Sequence, residues 1–561
     1  MSTKTTSLSP AKTLDEVVVR IIAMEDLSRQ RRRDLCSAVR KVAGLLGRSP
    51  RDVAVDIGAI SRQIARFTPA MAGMTASRWK NVRSLLGAAL QLTGAKVLRR
   101  RRVELLPPVW RELLDRVPDR FHRTRLCRLF SFCAAEGFDP GQVDDALADR
   151  FFLTLKQDSL VERPSQVHRD ACLAWNHAAE NLAGWPAQRL QVPNRRKHYA
   201  LPVSAYPASF TADLDAYLDH IAGIDPFSET ARQPSAPITI KDTRRRILQL
   251  AAALVLSGRT PASVTGLADL VAPEAAKTAL SFLWDRNGKR KTGQLHHFAM
   301  LLVKIAKHWV KVPASHLETL RAIRRQMDPR QTGMTARNRA RLRQFEDPEN
   351  VRRLIGLPTK ILRSLPLDHG MSHHQAVKLQ SALAIAILFV APVRIKNLAG
   401  LTLDRHLLRS RPGGVFHLVI PAHEVKNNTP LEFELPPSLD RLLEVYMTQA
   451  RPTLSPHSSV YLFPAPKGGP KTAAQLAAQV KQFIARQLGL DLNVHAFRHL
   501  AAMLFLRAHP GEYETVRLLL GHKSLETTVR TYCGMEQADA LRRYDGLIDR
   551  YRREEEVLHA H

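Results

Sequence analysis

A seven-residue signature, Gly-x-[Ser/Thr/Asp]-Pro-x-x-Val, recurs three times in this chain, at Gly47–Val53, Gly137–Val143 and Gly258–Val264. It reads as a helix stop followed at once by a helix start. Glycine can take the left-handed position that ends one helix, Ser49, Asp139 or Thr260 can cap the next, and the proline suits a first helical position. A basic amphipathic stretch precedes each copy (RRRDLCSAVRKVAGLL, RTRLCRLFSFCAAE, TRRRILQLAAALVL), and a helical stretch bearing Trp79, Trp175 or Trp309 follows it. The chain is therefore expected to hold three copies of one small helical unit. The three tryptophans are expected in cores, not as base-stacking platforms.

The 561 residues exceed what one hydrophobic core can hold, so about three to four domains are expected, and helix should dominate. Eighty-four Lys and Arg against 52 Asp and Glu leave a formal charge of +32, which calls for a polyanionic partner. Because the basic residues are spread along the whole chain, nucleic acid fits better than a membrane surface. Met1 to Leu14 is polar and SALAIAILFVAPV is too short to span a bilayer, so a soluble, cytoplasmic, nucleoid-associated protein is expected. Cys36, Cys127, Cys133, Cys172 and Cys533 lack paired metal-type spacing and are read as reduced core or bystander thiols.

From about Phe345 the pattern changes. Helical stretches lead into two alternating runs, VFHLVIP and LEFELP, separated by AHEVKNNTP, which predicts a small hairpin inside a helical domain. Around it stand side chains able to act on a phosphodiester: Arg394, Lys426, His495, Arg498, His522 and Tyr532. Each alone is weak, since charged groups mostly sit at solvated surfaces. His495 and Arg498, three apart on a helix, would share one face, and a structural pair would look the same.

In order and context these residues resemble the tyrosine recombinase (phage integrase-like) family. APVRIKNLAGLTL looks like its first-arginine box with Arg394, Lys426 falls in the hairpin turn, HAFRH supplies His495 and Arg498, and LLLGHKSLETTVRTY supplies His522 and Tyr532. Where the family often carries an acidic residue, this chain has Asn397. The resemblance covers about Phe345 to Arg550 and implies a mainly α fold with a small antiparallel β-hairpin or sheet in a C-terminal catalytic domain, and helical core-binding-like repeats upstream. The boundaries expected are a flexible tail 1–12, helical DNA-binding-like units 13–100 and 101–190, a Pro-rich linker 191–237, a third, core-binding-like unit 238–328, a basic linker 329–344, the catalytic domain 345–550 and a charged tail 551–561.

The family's chemistry implies a role for each residue. Tyr532 attacks the scissile phosphorus and joins the DNA 3′ end, so bond energy is retained for rejoining. His495 takes the phenol's proton, Arg394 and Arg498 stabilise the five-coordinate phosphorus, Lys426 protonates the leaving 5′ oxygen and His522 hydrogen-bonds the phosphate. No cofactor and no metal are expected. The implied partner is double-stranded DNA, held by a homotetramer on two sites, with room for other recombinase subunits; DALRRYDGLIDRYRREEE is a candidate for the helix passed to a neighbour, or a simple surface helix. Two other readings share these residues: a type IB topoisomerase-like enzyme and a non-catalytic accessory DNA-binding member of a recombinase set.

Overall fold

A computed structural model describes residues 9–99, 103–193, 199–223, 234–329, 333–365, 370–409, 411, 413–455, 457–533, 541 and 544–553. Most of the basic stretch NRRKHY, the start of the tail 1–12, and the charged tail beyond residue 553 lie outside the described residues. The chain divides into two compact units, Met1–Pro193 together with Gly333–His561, and Asn194–Thr332.

The repeated signature makes the same corner three times. Gly47, Gly137 and Gly258 have φ of +67°, +76° and +110°, and the N–H of the next residue (Arg48, Phe138, Arg259) bonds back to the carbonyl of Ala43, Cys133 or Leu254. That closes the preceding helix in the manner of a Schellman cap. Each proline then opens a single 3-10 turn, Pro50–Asp52, Pro140–Gln142 or Pro261–Ser263, not the following α-helix as expected. The reason lies in the valine. Val53, Val143 and Val264 are buried, and to point inward each leaves helical geometry before the next helix starts at Ile57, Asp145 or Leu267. Side-chain caps sit correspondingly later, with Asp56 and Asp144 accepting from the N–H of Ala59 and Leu147 at 2.8 Å each.

In the larger unit, one core gathers around Leu14, Val39 and Leu86, and another around Trp110, Phe130 and Trp175. Trp79 and Trp175 are buried, as expected of core residues. Cys36, Cys127, Cys133 and Cys172 are free and buried, and burial holds the Cys133 and Cys172 thiols up at about 12, far from reactive thiolates.

Asn194–Thr332 has its own core, and it corrects the linker expected at 191–237. Helix Ala208–Ala222 lies inside that segment, yet it sends Phe210, Leu214, Tyr217 and Leu218 into this core. Asp213 on the same helix accepts from the N–H of Leu267 at 2.6 Å and from the Trp309 indole at 2.7 Å. Prolines mark the segment's ends, while its middle keeps helical periodicity.

The C-terminal part of the larger unit is built on helix His373–Val390, whose second half is the start of the apolar run SALAIAILFVAPV. It is buried on every face from Leu379 to Leu388. No helix among the described residues is long and apolar enough to cross a membrane. The predicted hairpin gains a third strand. Strands β1 (Leu407–Arg409), β2 (Phe416–Ile420) and β3 (Leu431–Glu434) form an antiparallel sheet in that order, with Leu418 opposite Phe433 and Ile420 opposite Leu431.

The basic stretch read as a linker at 329–344 ends in a docked helix, Ala336–Leu342. Arg341 is buried with its Nε 3.5 Å from Asp491, and Gln344 bonds the Asp491 backbone in both directions. An arginine can bury its aliphatic stem where its head finds a carboxylate, which composition alone does not reveal.

Candidate active site

Helix Val494–Ala508 carries three of the site's side chains, and Asn493 caps its start by accepting from the Ala496 N–H at 2.9 Å. Arg498 is the structural centre. Its buried guanidinium donates through Nη1 to the Pro392 carbonyl at 2.6 Å and through Nη2 to the Leu520 carbonyl at 2.5 Å. Those carbonyls stand two residues before Arg394 and two before His522, so one side chain ties three separate stretches together.

Arg394 occupies the N-cap position of the short helix Ile395–Gly400 and is half-buried. Its side chain has no hydrogen bond or ion pair among the described residues, yet its charge acts on Arg498, His495 and His522. Burial, then the Arg394 charge, brings Arg498 down to about 10, with Tyr532 opposing. Burial, then Arg498, Arg394 and Arg517, brings His522 down to about 4. Desolvation, then Arg498 and Arg394, also lowers His495, whose ring remains exposed. Near neutral pH the result is two guanidiniums beside neutral imidazoles. A buried guanidinium held down by burial and by a second guanidinium is suited to receive an anion.

His522 follows a sharp turn. Helix Tyr513–Leu520 ends at Gly521 with φ of +56°, and the His522 N–H bonds back to the Arg517 carbonyl at 2.9 Å. A Cβ on Gly521 would lie 2.6 Å from Leu431 Cδ2. Gly521→Ala is therefore expected to lower stability by about 1–2 kcal/mol from the left-handed backbone alone, read as a lowered thermal unfolding midpoint. The His522 ring is fixed by Nδ1 against Thr528 Oγ1 at 2.9 Å. Thr528 is fully buried on helix Leu525–Tyr532, whose last residue is the predicted nucleophile.

Tyr532 is 1% exposed, and its ring lies parallel to His522, with centroids 6.3 Å apart. Burial pushes its phenol up to about 12, opposed by Arg498. Its hydroxyl meets not His495 but His499, at 3.1 Å from Nδ1. His499 is buried, and burial, then His495, Arg498 and His522, brings it down to about 4. Sequence reasoning missed it, although HAFRH contains it and its spacing of four from His495 puts both on one helix face.

Lys426 is the one predicted residue not brought into contact. It is exposed in the loop between β2 and β3, with no hydrogen bond or ion pair among the described residues. Its loop is nevertheless anchored on both sides. Asn427 donates to the Gly521 carbonyl at 2.6 Å, and Asn397, in the place of the family's acidic residue, donates to the Glu424 carbonyl at 3.3 Å. Asn427 was a second omission. Away from this site, Asp119, His122 and His177 place donor atoms within 4.8 Å of one another. Asp119 there caps its helix and bonds His122 Nδ1 at 2.6 Å.

Residues 366–538 match the Phage integrase family. All six predicted residues fall within that span, and this part of the chain is a phage integrase family domain, of the tyrosine recombinase class. No curated protein matches the chain. Among solved structures it is similar to XerA recombinase (16% identity, 56% of this chain and 92% of that one, TM-score 0.25). A lambda integrase dimer bound to a core site gives 13% identity, 58% and 96% coverage and a TM-score of 0.36. For the Tn1549 transposon integrase in complex with transposon right end DNA the figures are 14%, 58%, 98% and 0.34.

Proposed function

We propose that this protein is a site-specific DNA recombinase that cuts and rejoins strands through a 3′-phosphotyrosyl bond to Tyr532. The observation that carries this reading is the convergence of Arg394, Arg498, His495 and His522 beside a buried tyrosine: Arg498 bonds the stretches that bear Arg394 and His522, and the Tyr532 ring lies parallel to that of His522. A phosphodiester entering there meets two guanidiniums, and as phosphorus becomes five-coordinate they stabilise the added charge on its non-bridging oxygens. Arg498 needs no reorganisation for this, because two backbone carbonyls hold it. The Tyr532 oxygen forms the new bond to phosphorus, the bond to the 5′ oxygen breaks, and rejoining reverses both steps.

His522 donates to the phosphate, with Thr528 fixing its ring. The Tyr532 proton passes to a neutral histidine; the family resemblance gives that part to His495. Lys426 donates a proton to the leaving 5′ oxygen, its exposed side chain reaching in from the anchored loop when DNA binds. Lys426→Ala is accordingly expected to slow cleavage of ordinary DNA by about a hundred-fold or more, and far less when sulfur replaces the leaving oxygen, since a thiolate needs no proton. Measured single-turnover rates on the two substrates check this. Equal defects on both would remove Lys426 from the role.

The formal charge of +32 supports extensive contact with DNA phosphates, and the upstream helical units are suited to hold the duplex. Leu541, Tyr544, Leu547 and Tyr551 are 56%, 59%, 40% and 62% exposed, an apolar face that supports docking of this C-terminal segment on a neighbouring subunit in a tetramer on two sites. Strand exchange tests the function as a whole. Duplexes tiling the DNA that flanks the coding region are first screened for binding. Two differently labelled copies of a bound duplex should then yield recombinant strands. Tight binding with neither cleavage nor exchange would favour an accessory DNA-binding protein.

A further inference from the structure

The two histidines one turn apart on helix Val494–Ala508 differ in what they touch. His495 is exposed beside Arg394 and Arg498, with no hydrogen bond to Tyr532. His499 is buried, and its Nδ1 lies 3.1 Å from the Tyr532 oxygen, within direct proton-transfer reach. Its ring stands edge-on to both neighbours, at centroid distances of 5.1 Å from His495 and 5.7 Å from Tyr532.

We propose that His499 is a catalytic residue, the base that receives the Tyr532 proton, while His495 serves the phosphate. The inference rests on the recombinase reading. In the step, the Tyr532 O–H bond breaks and its proton goes to His499 Nδ1. The oxygen's electron pair forms the bond to phosphorus, and the departing 5′ oxygen takes its own proton from Lys426. With Nδ1 accepting the hydroxyl hydrogen, as this step requires, the oxygen's lone pairs remain for the attack.

The groups that face His499 are His495 and Arg498 on its own helix, His522 on the turn after helix Tyr513–Leu520, and Tyr532 on helix Leu525–Tyr532. They and burial keep the imidazole neutral in the free protein, down at about 4, so Nδ1 is open to accept. A phosphodiester anion among these cations opposes that depression and favours a protonated His499 as the new bond forms.

The test uses full-length protein and a bound duplex nicked so that the cleaved piece diffuses away, with covalent adduct formation followed in single turnover at several pH values. His499→Asn keeps a polar side chain of nearly the same reach but supplies no base. At neutral pH it is expected to form adduct about a hundred-fold more slowly than wild type, with site affinity and melting temperature retained. Hydroxide replaces a missing base, so this deficit should shrink as pH rises, while the deficit of His495→Asn should stay constant. A merely structural role for His499 gives a pH-independent deficit or none, and either result overturns the proposal. So does a shrinking deficit in His495→Asn alone. His499→Gln is run in parallel under the same criteria, so that a folding failure of the asparagine variant leaves the question decidable. If wild type forms no adduct, the recombinase reading itself fails, which this design separates from failure of the His499 assignment.

Discussion

Replacing Tyr532 with phenylalanine is expected to abolish strand cleavage, a loss of about ten-thousand-fold or more, while DNA binding survives. The substitution removes one oxygen atom. The ring is 1% exposed and packs beside His522, and phenylalanine fills the same volume. What is lost locally is the 3.1 Å contact to His499, whose Nδ1 becomes a buried polar atom without that partner, at a cost of about 1–3 kcal/mol. Such a cost is small against the stability of a domain held by an extensive core, so the protein should fold. The other side chains assigned to the phosphate or the proton, Arg394, Arg498, His495, His499 and His522, are nitrogen donors or bases, and the Thr528 hydroxyl is fully buried and held against His522. Chemistry that depends on covalent attachment has no substitute path. Site affinity from a band-shift titration and adduct yield on nicked DNA separate the two properties.

Arg498→Ala is expected to have the second largest effect, and to damage both folding and activity. The guanidinium bonds the carbonyls of Pro392 and Leu520, and truncation leaves both buried acceptors unpaired, costing about 1–3 kcal/mol each. It also frees the stretches bearing Arg394 and His522 from one another. Loss of one charge-stabilising donor at a phosphorus centre is worth about a hundred- to a thousand-fold in rate, and loosening of the other two should add to it. Arg498→Lys tests the geometric part, because an ammonium keeps the charge but cannot span two carbonyls and still present a planar fork to phosphate. It should remain well below wild type in adduct formation. A lysine variant as active as wild type would show that charge alone suffices at this position.

The sequence carried the chemistry further than it carried the packing. Arg394, His495, Arg498, His522 and Tyr532 could be named because the order and context of their stretches resemble the tyrosine recombinase family, and in the fold Arg498 ties its own helix to the stretches that bear Arg394 and His522. His499 was not singled out, since two imidazoles one helical turn apart look alike until the neighbouring helix fixes which one meets the phenol. Lys426 could be assigned to a hairpin turn from strand alternation, whereas its distance from the cluster depends on how the loop is tethered by Asn397 and Asn427. The corners around Pro50, Pro140 and Pro261 were legible as helix ends from glycine and proline, but not as 3-10 turns, because the inward valine that interrupts the helix acts through tertiary burial. Helix Ala208–Ala222 was legible in part, since DLDAYLDHI keeps a helix-like pattern, but its flanking prolines read as a linker while its buried face, Phe210, Leu214, Tyr217 and Leu218, belongs to a core assembled from later residues.

The central claim is that Tyr532 becomes joined to DNA. The most direct measurement incubates wild-type protein with a nicked duplex carrying a bound site, denatures the mixture, digests protein and DNA, and locates the nucleotide-bearing peptide by mass. A single adduct is expected, on the peptide that contains Thr531, Tyr532 and Cys533. An adduct on Tyr513, Tyr544 or Tyr551 would contradict the assigned nucleophile, and the absence of any adduct on tightly bound DNA would contradict the recombinase itself.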